Sequence, residues 1–224
     1  MKREASTYIQ NGGYSGSGSV SQPSITSARD YFDLHGRASS QISYAEIDRI
    51  EEELWRAYEG QRKVFLFGNG GSASLACHLA CDLGKGTILP EASNRRFQVL
   101  SLANNVALLT ALANDLSYEQ IFAEQLRTHL ASGDIAFAIS ASGNSPNVLK
   151  ALEVSHELGG INIGLSGFEG GKMKALCNYC AVVPSDNMQI IEDLQLSMAH
   201  ALFTCLRQRI LAPIAIRTQA AEAG

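Results

Sequence analysis

No apolar run in this sequence approaches the ~20 residues that a helix needs to cross a bilayer, so a membrane-spanning helix is excluded. The amino-terminal stretch MKREASTYIQNGGYSGSGSVSQPS lacks the apolar core of a secretory signal, and a cytoplasmic location is expected. An excess of positive charge is also missing. At a formal charge of −4, there is no general basis for affinity to nucleic acid or membrane surfaces. Cysteine is sparse and scattered (Cys77, Cys81, Cys177, Cys180 and Cys205), with no second pair beside Cys177-Asn-Tyr-Cys180 at zinc-ribbon spacing. These side chains read as small buried apolar groups rather than as a redox or metal site. No internal repeat of solenoid length occurs.

What remains is an ordinary globular composition, 46% hydrophobic and 18% charged over 224 residues, enough for one sizeable α/β domain. Residues 1–26, rich in Gly, Ser, Gln and Asn, are expected to form a flexible arm. The domain itself is expected over 27–214, with 215–224 as a tail. From Ser27 to Tyr58, Ile42, Ile47, Ile50, Leu54 and Tyr58 recur at helical spacing, so one or two helices precede the first strand. Strand and helix then alternate. Strands are expected at Val64–Phe67, Phe97–Leu100, Ile135–Ile139, Ile161–Leu165 and Ala181–Val183. The intervening helices are expected at Ala73–Leu83, Asn105–Ala113, Tyr118–His129, Pro146–Leu158 and Gly170–Leu176. An amphipathic helix from Gln189 to about Ile210 closes the chain. Five short apolar runs separated by helices imply a parallel sheet covered on both faces. Right-handed crossovers make this a doubly wound, flavodoxin-like three-layer α/β/α sandwich with a five-stranded parallel sheet.

Two strand ends open into loops of the same kind. The first, Gly68-Asn69-Gly70-Gly71-Ser72, lets the backbone approach a ligand and presents free N–H groups at a helix start. The second, Ser140-Ala141-Ser142-Gly143-Asn144-Ser145, offers three hydroxyls before Pro146 at the next helix start. One such loop is equally well explained by helix capping and chain turning. Two in one small domain favour a phosphate monoester. A nucleotide cofactor is not expected. Neither loop has the Gly-Lys-Ser/Thr of a P-loop, and the second strand ends Leu100-Ser101-Leu102-Ala103 without the acid that would hold a ribose.

GNGGS after the first strand, SASGNS after the third and Ala113-Asn114-Asp115 between them resemble the sugar-isomerase (SIS) fold. The similarity is greatest to the phosphoheptose isomerases and covers about residues 40–211. In that family the first helix carries His and, four residues on, Glu. The last helix carries Gln and, eight residues on, His. The matching positions here are His78, Asp82, Glu192 and His200. Asp82 keeps the family's carboxylate one methylene shorter, and Glu192 replaces a neutral amide with a charge. Ala141 stands where the family has Thr, losing a hydroxyl but keeping the backbone amide.

The resemblance implies aldose–ketose isomerisation of a sugar phosphate, most closely sedoheptulose 7-phosphate to glycero-manno-heptose 7-phosphate. The reaction passes through an enediol and needs a base and a group to handle the oxygen proton. Asp82 is expected to abstract the carbon-bound proton, with His200 as acid or ring opener. Asn69, Gly70, Gly71, Ser72, Ser140, Ala141, Ser142 and Ser145 are expected around the phosphate and substrate, with Asn114, Asp115 and Glu192 at further substrate positions. The resemblance also implies one zinc held by His78, Asp82, Glu192 and His200, and a homotetramer with sites between subunits. Glu192 and His200 are ~12 Å apart along their helix, so they can share an ion only by reaching toward each other. The alternative is a non-catalytic SIS module that binds a replication initiator or senses sugar phosphates.

Overall fold

The computed structural model describes residues 25–89 and 94–222; the expected arm lies almost wholly outside this range. Two helices, α1 (Ala28–Ser40) and α2 (Tyr44–Glu59), lead into β1 (Lys63–Phe67) and α3 (Gly71–Gly86). There follow β2 (Gln98–Ser101), α4 (Val106–Asp115), α5 (Ala123–His129), β3 (Ile135–Ser140), α6 (Pro146–Glu157) and β4 (Ile161–Gly167). The chain ends with α7 (Met173–Leu176), β5 (Tyr179–Val183) and α8 (Met188–Glu222), so helix continues to Glu222 through the expected tail.

All strand pairs are parallel, in the order β2-β1-β3-β4-β5. Both sheet faces are covered, because alternate residues of each strand point to opposite sides. Val64 and Leu66 of β1 join Ile135, Phe137 and Ile163 in a core beneath α1, α2, α3 and α8. Phe65 and Phe67 enter a second core with Phe122, Leu126, Val148 and Leu152 beneath α5 and α6. The expected three-layer sandwich is therefore the observed one.

Three local expectations are corrected. The single helix expected over Tyr118–His129 is a 3₁₀ turn at Tyr118–Gln120 followed by α5. The break lets Ile121 and Phe122 enter the second core while Tyr118 stays exposed. The helix expected from Gly170 begins only at Met173, since Gly170 and Gly171 adopt left-handed φ of 97° and 56°. Nor are the cysteines fully buried: Cys81 and Cys205 are exposed, and the other three are intermediate. Among the described residues, no helix is long and apolar enough to cross a membrane.

The close seating of α8 on this framework depends on missing side chains below it. A Cβ on Gly167 would lie 2.5, 2.6 and 2.8 Å from three carbons of Ile191, and a Cβ on Gly86 would lie 2.5 Å from the Phe203 ring. Further along α8, Arg209 lies over the Trp55 ring at 4.3 Å and donates to Glu51 and Glu52 of α2 at 3.2 and 2.8 Å. Overpacking at the first contact is expected to lower the stability of Gly167→Ala by about 1–3 kcal/mol, read as a lower midpoint in thermal unfolding. An unchanged midpoint would mean that α8 is not tightly seated there.

Candidate active site

The two loops meet at the carboxyl ends of β1 and β3. Gly68 sits where a Cβ would be 2.5 Å from the Ile139 carbonyl oxygen, so only glycine lets the strand ends approach this closely. Gly70 has φ 54° and ψ −121°, a backbone conformation disfavoured for other residues, and is the N-cap of α3. In the second loop a Cβ on Gly143 (φ 62°) would lie 2.1 Å from the Gly170 carbonyl oxygen. Lys172 N–H donates to Asn144 Oδ1 at 3.0 Å, and Met173 N–H to the Gly143 carbonyl at 2.9 Å, which pins this loop to α7.

A reciprocal amide pair locks one loop to the other. Asn69 Nδ2 donates to Asn147 Oδ1 at 2.9 Å, and Asn147 Nδ2 donates back to Asn69 Oδ1 at 2.8 Å. Tyr118 donates its hydroxyl to the same Asn69 oxygen at 3.0 Å. Sequence reasoning missed both Asn147 and Tyr118. Asn147 stands two residues beyond the serine cluster and could have been found as its continuation; Tyr118 carries no local signal.

The serines do not spend their hydroxyls on capping. Ser145 is the N-cap of α6 yet makes no side-chain cap, and α3 has none either. Both helix dipoles favour negative charge at these starts, although Pro146 has no N–H and the N–H groups of Ser72 and Val148 already donate to the Asn69 and Ser145 carbonyls. Ser140 Oγ and Ser145 Oγ stand 3.4 Å apart, Ser142 Oγ accepts from Asn144 N–H at 3.2 Å, and Ser72 is buried at the start of α3. Ala141 lies buried in the second loop. Beside the first loop is a cavity of about 260 Å³ lined by Gly68, Asn69, Gly70, Ala73, Ala113 and Tyr118, among others. Asn114 and Asp115 do not line it; they are exposed and hydrogen-bond each other at 2.8 Å.

The packing of α3 against α8 brings three of the four residues singled out on the helices to one point. His78 Nε2 and His200 Nε2 are 3.0 Å apart, and Asp82 Oδ2 is 3.3 Å from the first and 3.9 Å from the second. His78 and Asp82, at i and i+4, share one face of α3, and the shorter acid still reaches both rings. The donor set suits a divalent ion of zinc's preferences. Metal–ligand bonds of ~2.0–2.1 Å place tetrahedral ligand atoms roughly 3.3 Å apart, and the three observed separations bracket that distance. Two imidazoles and one carboxylate are also a familiar catalytic zinc set.

Glu192 does not join this group, which corrects the four-ligand expectation. Eight residues along α8 carry it a little over two turns away from His200. Its carboxylate instead rests on Gly71, the first residue of α3, where a Cβ would lie 2.8 and 2.9 Å from its two oxygens. There a fixed negative charge faces the positive end of the α3 dipole, beside the first loop.

A parallel sheet with glycine- and serine-rich loops at two strand ends, and an imidazole–carboxylate cluster on the helix that follows the first of them, are the features of an α/β domain of the SIS class. The family model for the SIS domain matches residues 30–167. The chain is 41% identical over 155 residues to a phosphoheptose isomerase of Helicobacter pylori strain Shi470, covering 69% of this chain and 79% of that protein. It is 35% identical over 192 residues to one of Aneurinibacillus thermoaerophilus, covering 81% and 94%. A solved phosphoheptose isomerase from Francisella tularensis superposes with a TM-score of 0.75 at 28% identity, over 80% of this chain and 96% of that one. The chain belongs to the phosphoheptose isomerase family of SIS-domain proteins.

The position of Glu192 has a measurable consequence. Replacing its carboxylate by an amide removes negative charge beside the first loop and weakens its repulsion of any anionic substrate drawn between the paired loops, an effect of ~0.3–1 kcal/mol at a helix terminus. Glu192→Gln is accordingly expected to lower KM for a sugar phosphate by about two- to fivefold. A raised KM in steady-state kinetics would show that the carboxylate instead contacts substrate favourably.

Proposed function

We propose that this protein interconverts sedoheptulose 7-phosphate and glycero-manno-heptose 7-phosphate. The observation that carries this reading is the convergence of His78, Asp82 and His200 between α8 and α3, the helix that starts at the first loop. Isomerisation requires a proton to leave the carbon next to the carbonyl and to return on the former carbonyl carbon, while a second proton passes in the same sense from the hydroxyl oxygen to the carbonyl oxygen. Asp82 takes the carbon proton. Its Oδ2 faces the two imidazoles, and its second oxygen is left for that transfer. His200 gives and receives the oxygen proton and opens the sugar ring. His78 holds Asp82 in place through the 3.3 Å contact.

The phosphate is held by Ser140, Ser142, Ser145 and the uncapped start of α6. Asn69, Gly70, Gly71 and Ser72 orient the reacting end of the sugar, and Asn114 and Asp115 contact its hydroxyls from a closed or assembled state. In a zinc-loaded form an ion held by His78, Asp82 and His200 would polarise the substrate carbonyl and stabilise the enediolate, and the His200 nitrogen that held it would leave the oxygen proton to other groups.

Incubation with sedoheptulose 7-phosphate should yield the aldose. Asp82→Asn should cost about 10²–10⁴ in kcat with an unchanged thermal midpoint, and should lower zinc content in elemental analysis of protein purified without chelator. Near-normal turnover in that variant would overturn the base assignment.

The protein is further read as a homotetramer with sites between subunits. Helix α4 has no fully buried residue although it is mostly apolar, and Val106, Leu116 and Tyr118 nearby are 68%, 58% and 59% exposed. Such a surface is typical of a subunit contact. Sedimentation velocity should give a tetramer; a monomer at micromolar concentration would refute the assembly.

A further inference from the structure

The Cys177-Asn-Tyr-Cys180 pair plays no part in the isomerase reading and shares no residue with the two loops. Cys177 follows the last residue of α7, and Cys180 lies in β5, an edge strand of the sheet. Both side chains turn onto Gly164 of β4. A Cβ there would lie 2.9 Å from Cys177 Sγ and 3.2 Å from Cys180 Sγ, so both sulfurs occupy the space that the glycine leaves.

Their surroundings are not those of cysteines packed as plain hydrophobes. Both line a cavity of about 390 Å³, together with Gln41, Ser43, Glu46, Lys174 and Asn178. That volume is in the range of small-molecule sites, and the lining mixes these polar groups with Val182 and Pro184. Glu46 Oε1 accepts from Cys180 N–H at 2.9 Å, which anchors the cysteine backbone to α2.

We propose that Cys177 and Cys180 form a thiol–disulfide exchange site that accepts small disulfides of the glutathione class. A hydrogen bond from the Cys177 thiol lowers the Cys180 pKa against the opposing effect of burial; the Lys174 ammonium adds to the lowering and the Glu46 carboxylate works against it. Donating that hydrogen bond, together with burial, pushes Cys177 up, so it keeps its proton. Cys180 is thus the attacking sulfur and Cys177 the resolving one.

In the first step Cys180 thiolate attacks one sulfur of the small disulfide. The S–S bond breaks, and one small thiolate leaves and takes up a proton. Cys177 then loses its proton and attacks the Cys180 sulfur, expelling the second small thiol and closing the Cys177–Cys180 bond. The protein pair is oxidised by two electrons, and the small disulfide is reduced to two thiols carrying the pair's two protons. Cys81 and Cys205, each exposed, and Cys77, whose thiol meets Asn104 Oδ1 at 2.8 Å, have no such arrangement.

The test uses the full chain treated with oxidised glutathione, quenched in acid, alkylated and mapped by peptide mass spectrometry. A Cys177–Cys180 linkage should form, with Cys180 reacting on the order of tenfold faster than Cys81 or Cys205. Cys177→Ser should trap a stable glutathione adduct on Cys180. Cys180→Ser should leave Cys177 unmodified on the same timescale. Thermal unfolding and turnover of sedoheptulose 7-phosphate report separately on whether these variants fold. If Cys177 and Cys180 stay fully alkylatable while Cys81 and Cys205 become glutathionylated, the proposal fails. It fails equally if Cys177 reacts as fast in Cys180→Ser as in the unaltered protein.

Discussion

The site depends on how closely α8 can lie against α3 and the sheet. Two glycines set that distance, Gly167 beneath Ile191 and Gly86 beneath Phe203. His200 lies between those two contacts on the same helix, and Glu192 directly follows the first. A helix held off by even one methyl group would carry the His200 ring away from His78 and Asp82. Close-packed interiors do not absorb such a shift freely. The Arg209 clamp on Glu51, Glu52 and Trp55 fixes the far end, so α8 is constrained at three places along its length.

Against that rigid helix, the two loops, which we propose hold the substrate phosphate and orient the sugar, are made of neutral residues. No lysine or arginine lies in either loop. The donors are backbone N–H groups and serine hydroxyls at two uncapped helix starts, held together by the Asn69–Asn147 pair. A neutral cradle can hold a phosphate dianion while an acidic cluster sits close by, because it sets no strong cation to pair with Asp82. Glu192 runs against this arrangement by placing a carboxylate on Gly71.

Much of this was legible along the chain. Strand positions followed from the apolar runs, because a strand buried on both faces has little choice of residue. The loops were visible in their glycines and serines, and His78 with Asp82 in a spacing of four. Less was legible where a side chain's role depends on a distant partner. Nothing near Tyr118 announces a bond to Asn69, and nothing near Gly164 announces the two sulfurs it accommodates. Breaks at Ile121–Phe122 and at Gly170–Gly171 were hidden because helical periodicity ran through both.

The sequence by itself determined the class of fold, the two glycine- and serine-rich strand ends and the presence of an acid and two imidazoles on helices. Those are local properties, set by side-chain periodicity and by backbone conformations that only some residues adopt. Only the tertiary structure decided that His78, Asp82 and His200 share one point while Glu192 does not. The packing of α3 against α8 fixes that outcome, because eight residues of straight helix separate two side chains further than their reach can recover.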